Sequence, residues 1–187
     1  MPRISWGSLA CRAALGALVL GLCQTAAPLV ATASAQAVGP NKSGLPIPRF
    51  VTLKSGRVNL RVGPGRNYPV EWMYLKTGLP VEIIQEYDNW RRIRDSEGTE
   101  GWINQSLLSG KRSGIAAPWL RGKEEAAITL TRDADEKSRL IATVEPGAIG
   151  MIEQCDGQWC EMRFGGYSGY VRQSLIWGAY PDETFDD

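Results

Sequence analysis

The chain contains no histidine. That absence excludes Ser-His-Asp and Cys-His activation of a nucleophile, and every zinc site built on imidazole. Cysteine is scarce: Cys11 and Cys23 lie near the N-terminus, which leaves only Cys155 and Cys160 in the body of the chain. Neither sign of charge dominates, with 21 basic and 20 acidic side chains, whereas a nucleic-acid binder shows a basic surplus on one face. No apolar run reaches the roughly 20 residues of a spanning helix. The carboxylate pairs Asp95 with Glu97 and Glu124 with Glu125 fall in turns or linkers. Glycoside cleavage needs such a pair fixed across a buried sugar. The sequence thus predicts a non-catalytic protein with no cofactor and no metal.

What is present begins with an export signal. Arg3 and Arg12 are the only charges before Lys42, residues 13–22 are apolar, and Ala33-Ser34-Ala35 closes the stretch. These are the three parts of a secretory signal peptide, predicted over residues 1–35. An uncleaved anchor is one alternative. Lipid attachment at Cys23 is another, although Leu22 stands where that processing wants a small residue. Without the signal the balance is 19 basic against 20 acidic side chains. Export places Cys155 and Cys160 in an oxidising compartment, where a lone pair of cysteines forms a disulfide.

The rest of the chain is a repeat. Val58-Asn59-Leu60-Arg61 returns 70 positions later as Ile128-Thr129-Leu130-Thr131. Gly78, Ile83 and Trp90 meet Gly147, Ile152 and Trp159 at 69, and Gly101 to Leu107 meets Gly169 to Leu175 at 68. The offset changes only between predicted strands, where single-residue deletions disturb no ladder. Within the first unit, residues 57–62, 70–75, 80–87, 90–94 and 101–104 read as short strands, with turn residues between them. Two all-β units follow, residues 49–112 and 113–180, each a small five-stranded barrel. Residues 36–48, rich in proline and glycine, read as a flexible leader. Residues 110–122 read as the connection, and 181–187 as an acidic, frayed tail.

Val58-Asn59-Leu60-Arg61-Val62-Gly63-Pro64-Gly65, followed by Tyr68, resembles the opening of a bacterial SH3 domain. Gly78, Asn89-Trp90 and the closing Gly101-Trp102-Ile103 through Ser106-Leu107 match later parts of that family. The second unit departs from it, with Thr131 for the arginine, Asp133-Ala134-Asp135 for the turn, and Tyr170 for the tryptophan. The resemblance extends to exported tandem SH3-like proteins of Gram-negative bacteria. It implies two SH3-like barrels, a periplasmic or secreted location, and a partner that is a cell-wall peptide or another envelope protein. Regulation of a separate wall hydrolase is a further possibility it leaves open.

SH3 domains bind extended peptides in an aromatic-lined groove beside their first long loop. The resemblance therefore singles out Tyr68, Trp72, Trp90 and Trp102. The competing reading is that some of these fill a very small core. Arg92 and Arg94 share a strand face with Trp90, which makes them either a dock for a carboxylate-bearing ligand or a solvated outer face. The units also differ in charge: residues 49–112 hold 11 basic and 7 acidic side chains, residues 113–187 hold 7 and 13. Docking of one barrel on the other, or separate ligand preferences, would each account for the split.

Cys155 and Cys160 flank Asp156-Gly157-Gln158-Trp159, a short connection between the third and fourth strands of unit two. Residues that flank such a turn face each other within disulfide reach. Their counterparts in unit one, Glu86 and Arg91, carry opposite charges, as cross-strand neighbours should.

Overall fold

The computed structural model describes residues 43–123 and 126–186. The predicted signal peptide, the start of the leader and the Glu124–Glu125 pair lie outside them. In the first half, β1 (Arg49–Leu53), β2 (Val58–Arg61), β3 (Val70–Tyr74), β4 (Pro80–Tyr87), β5 (Trp90–Arg94), β6 (Glu100–Asn104) and β7 (Leu108–Ser109) form one sheet. Its order is β3-β2-β6-β5-β4-β1-β7. In the second half, β8 (Ser113–Ala116), β9 (Ile128–Thr131), β10 (Leu140–Val144), β11 (Ile149–Asp156), β12 (Trp159–Phe164), β13 (Tyr167–Arg172) and β14 (Ile176–Trp177) repeat the plan as β10-β9-β13-β12-β11-β8-β14. The same strand order twice is the structural form of the sequence repeat. The only helical segments among the described residues are three short 3-10 turns, and no helix there is long and apolar enough to cross a membrane.

Each barrel has its own core. Val58, Leu60, Val81, Ile93 and Ile103 fill the first; Ile128, Leu130, Ile152, Met162 and Val171 fill the second. Alternation along β6 turns Ile103 inward and Trp102 outward. The closing glycine of each repeat is required by packing: a Cβ on Gly101 would fall 2.6 Å from Leu60 Cγ, and one on Gly169 would fall 2.5 Å from the Thr131 carbonyl oxygen. Only a residue without a side chain lets the strands cross this closely.

Strands β1 and β8, absent from the sequence reading, begin the two barrels. Neither alternates, because both are covered on two sides. Val51 and Leu53 of β1 point into the first core, while Phe50 packs on the second barrel against Trp177 (ring centroids 5.0 Å apart) and Tyr180 (4.7 Å). Thr52 shares a hydrogen bond with Ser113 across the junction (2.7 Å). Arg112 lies over the rings of Phe50 and Phe185 and forms a two-bond ion pair with Glu183, both contacts 2.9 Å. The tail up to Asp186 is therefore not frayed: β15 (Thr184–Asp186) pairs with β11, and Arg112 pairs with Glu183 from 71 positions away. The end of the leader is pinned as well, since Ser43 donates to Glu86 from its backbone N–H (3.0 Å) and its hydroxyl (2.7 Å).

Cys155 and Cys160 are cross-strand partners joined by a disulfide, with Cα atoms 4.1 Å apart. At the same place in the first barrel Glu86 pairs with Arg91, Oε1 to Nε 3.2 Å. One hairpin is clipped covalently and the other by an ion pair. The closed loop is short, so the chain-entropy contribution is about 2 kcal/mol. Cys155→Ala with Cys160→Ala should lower the urea midpoint of the chain accordingly, and a midpoint unchanged from wild type would contradict this.

Candidate functional site

Strand β5 sends Arg91 and Ile93 inward and Trp90, Arg92 and Arg94 outward. Trp102 stands between two of its cross-strand neighbours, Arg61 on β2 and Arg92 on β5. Tyr87, opposite Trp90 across the Asp88-Asn89 turn, meets the Trp102 ring edge-on at 6.5 Å and is 60% exposed. Arg61 also donates to the Tyr68 carbonyl (2.6 Å), which ties the long loop to this face. That loop closes on its own aromatic: a Cβ on Gly63 would fall 2.3 Å from the Tyr68 ring, so glycine is what lets the ring fold back. Tyr68 remains 41% exposed.

The structure thus gathers Trp90, Trp102 and Arg92 on one solvent-facing sheet, with the Tyr68 loop tied to it through Arg61. It adds Tyr87, which sequence reasoning missed. The signal was available, because alternation along β4 turns Tyr87 outward with Gln85.

Two of the six expected residues belong elsewhere. Trp72, 56% exposed, lines a cleft of about 410 Å³ beside the barrel junction, with Tyr74, Asp95, Ile115 and Arg121. Within it the Tyr74 hydroxyl donates to Asp95 (2.9 Å); burial, reinforced by the Asp95 charge, pushes that phenol far above its ordinary range. Arg94 is committed to the junction. It donates to Glu82 from Nε (3.0 Å) and Nη2 (2.6 Å), and Glu82 in turn accepts from the Tyr180 hydroxyl of the second barrel (2.8 Å). Arg92 pairs with Glu100 (2.9 Å). Both arginines therefore already have carboxylate partners within the chain.

The corresponding face of the second barrel is closed. Trp159, the counterpart of Trp90, is only 7% exposed because the Arg172 guanidinium lies 4.3 Å from its ring centroid. Glu136 pairs with that guanidinium at 2.7 Å. Tyr170, the counterpart of Trp102, donates to Glu161 (3.3 Å). Burial and the Glu161 charge raise its pKa.

A family model described as the bacterial SH3 domain matches the chain twice, over residues 54–110 and 124–178. No curated protein matches it. Among solved structures, NlpC2 from Trichomonas vaginalis is similar at 14% identity and a TM-score of 0.30, over 70% of this chain and 48% of that one. NlpC1 from the same organism is similar at 14% identity and a TM-score of 0.29, over 72% and 47%. The chain spans about half the length of these two proteins.

Proposed function

The chain belongs to the bacterial SH3 domain family, and from that premise we propose that it is a non-catalytic binding protein of the cell envelope, periplasmic or secreted, whose first barrel holds an extended peptide. The ligand class is the peptide stem of peptidoglycan. One observation carries this reading: the exposed Tyr87 and the partly buried Trp90 and Trp102 share a sheet face of the first barrel, whereas the second barrel covers the same place with Arg172 and Glu136.

Aromatic rings on a rigid strand face give a peptide broad apolar contact at little entropic cost, and solvent-accessible aromatic surface of this kind marks an interaction site. The face is a sheet surface without a deep cleft, which suits binding more than bond cleavage. The lack of histidine supports a non-catalytic role. The disulfide and the predicted signal peptide support export.

The test is co-sedimentation of the full chain with purified cell-wall sacculi. Wild type should sediment, and Tyr87→Ala with Trp102→Ala should remain mostly in the supernatant. Each lost aromatic anchor should weaken binding by about tenfold or more. Absence of wild-type protein from the pellet would remove the peptide-stem reading.

A further inference from the structure

The arginines of the first barrel divide into two groups. Arg49, Arg91, Arg92 and Arg94 each meet a glutamate of that barrel. Arg57, Arg61 and Arg66 meet no carboxylate among the described residues, yet they converge on one pocket of about 480 Å³, walled by Trp90 and Asn104 and lined also by Asn59. Arg61 uses one N–H on the Tyr68 backbone carbonyl, and among the described residues no side chain holds any of the three guanidinium groups. Asn59 Oδ1 is buried with no hydrogen-bond partner. Such a lone acceptor costs free energy until a donor reaches it.

The second barrel shows what this position accepts. The repeat offsets place Glu136 where Arg66 stands, Arg172 where Asn104 stands and Trp159 where Trp90 stands. There a planar guanidinium lies against the indole and is paired with a carboxylate. The first barrel keeps the indole, reverses the charge of the wall and supplies no anion. Of its basic side chains, Arg94 and Arg112 serve the barrel junction, whereas Arg57, Arg61 and Arg66 do not.

Resting on the peptide-binding reading above, we propose that this pocket holds the terminal carboxylate of the bound peptide. A guanidinium offers two parallel N–H groups to one carboxylate. A peptide's last residue also carries an N–H next to that carboxylate, and it meets the unpartnered Asn59 acceptor when that amide turns from its buried position toward the arginines. Its side chain then lies against Trp90. A side-chain carboxylate has no N–H at this spacing, so the pocket distinguishes chain ends from acidic side chains.

The experiment is NMR titration of the isotope-labelled full chain, read at the Trp90 indole N–H, with three probes: N-acetyl-alanyl-alanine, its C-terminal amide, and the α-amide of N-acetylglutamate. The free acid should shift the signal, and the other two should bind at least about tenfold more weakly, the loss expected for one charge-assisted contact. The double variant R66E with N104R copies the lock of the second barrel. It should bind the free acid at least about tenfold more weakly while keeping the wild-type unfolding midpoint. Equal binding of acid and amide, equal binding of the glutamate probe, undiminished binding by the variant, or no shift at Trp90 would each overturn the proposal. Sacculi separate the two ideas: a variant retained as well as wild type removes the carboxylate pocket and leaves the peptide-binding face standing. Binding of the acid probe by a wild type that sacculi do not retain removes the peptide-stem reading instead.

Discussion

Glu86→Ala should cost the chain about 3–5 kcal/mol, the usual result of removing one member of a buried ion pair. The Glu86 side chain is 1% exposed and bridges Arg49 (2.7 Å) and Arg91 (3.2 Å), whose own side chain is 6% exposed. Without it the Arg91 guanidinium stays buried with only neutral partners, the carbonyls of Asp88 and Trp90 and the Gln105 amide. Ser43 loses its anchor at the same time. Urea unfolding measures the loss, and a change below about 1 kcal/mol would show that the pair carries little stability.

The same group sets an acid limit. Burial opposes ionisation of Glu86, but hydrogen bonds from Ser43 and Arg49 and the charge of Arg91 prevail and hold its pKa at about 2, below the ordinary 4.5. A depressed carboxylate stabilises the fold fully above its unfolded value, and that contribution drains away as pH falls from 4.5 toward 2. Glu86→Gln should flatten this part of the stability profile. An equally steep acid loss in the variant would assign it to other carboxylates, of which Glu183, lowered against its burial by Arg112, is the first to test.

Phe50→Ala is the second large effect, about 3–5 kcal/mol, the range for truncating a buried aromatic. Phe50 is 8% exposed although it belongs to neither barrel core; it is buried by Trp177, Tyr180 and the Arg112 guanidinium. Removing it opens the junction while leaving both cores intact. Unfolding should then separate into two transitions, one for each barrel. A single transition at the wild-type midpoint would mean that the ring adds nothing to coupling.

The repeat was legible because matching residues return at offsets of 70, 69 and 68, and turn residues bound the strands between them. Pro80–Tyr87 and Trp90–Arg94 emerged with the boundaries the sequence predicts. Arg49–Leu53 and Ser113–Ala116 were not legible, since the junction buries both of their faces and erases the alternation. The tail misled for a related reason: Glu183 looks like a solvated charge, and residues 184–186 like loose chain, until Arg112 and β11 are brought to them. At the site, alternation placed Trp90 and Arg92 on one face, and the resemblance singled out Trp102, which the fold sets beside Arg92. Alternation could not show that Arg94 turns to Glu82, nor that Trp72 sits beside the junction. The unpaired arginines were hidden in the same way. Nothing local marks Arg57 and Arg66 as partnerless, because pairing depends on which glutamates the fold brings near.

The most direct measurement is NMR mapping of the full chain with soluble peptidoglycan fragments that keep their peptide stems. The indole N–H signals of Trp90 and Trp102 should move together with the amides of β5 and β6, while Trp159, covered by Arg172, stays in place. Shifts confined to Trp159 and the second barrel, or no shifts in either barrel, would contradict a peptide-binding face on the first.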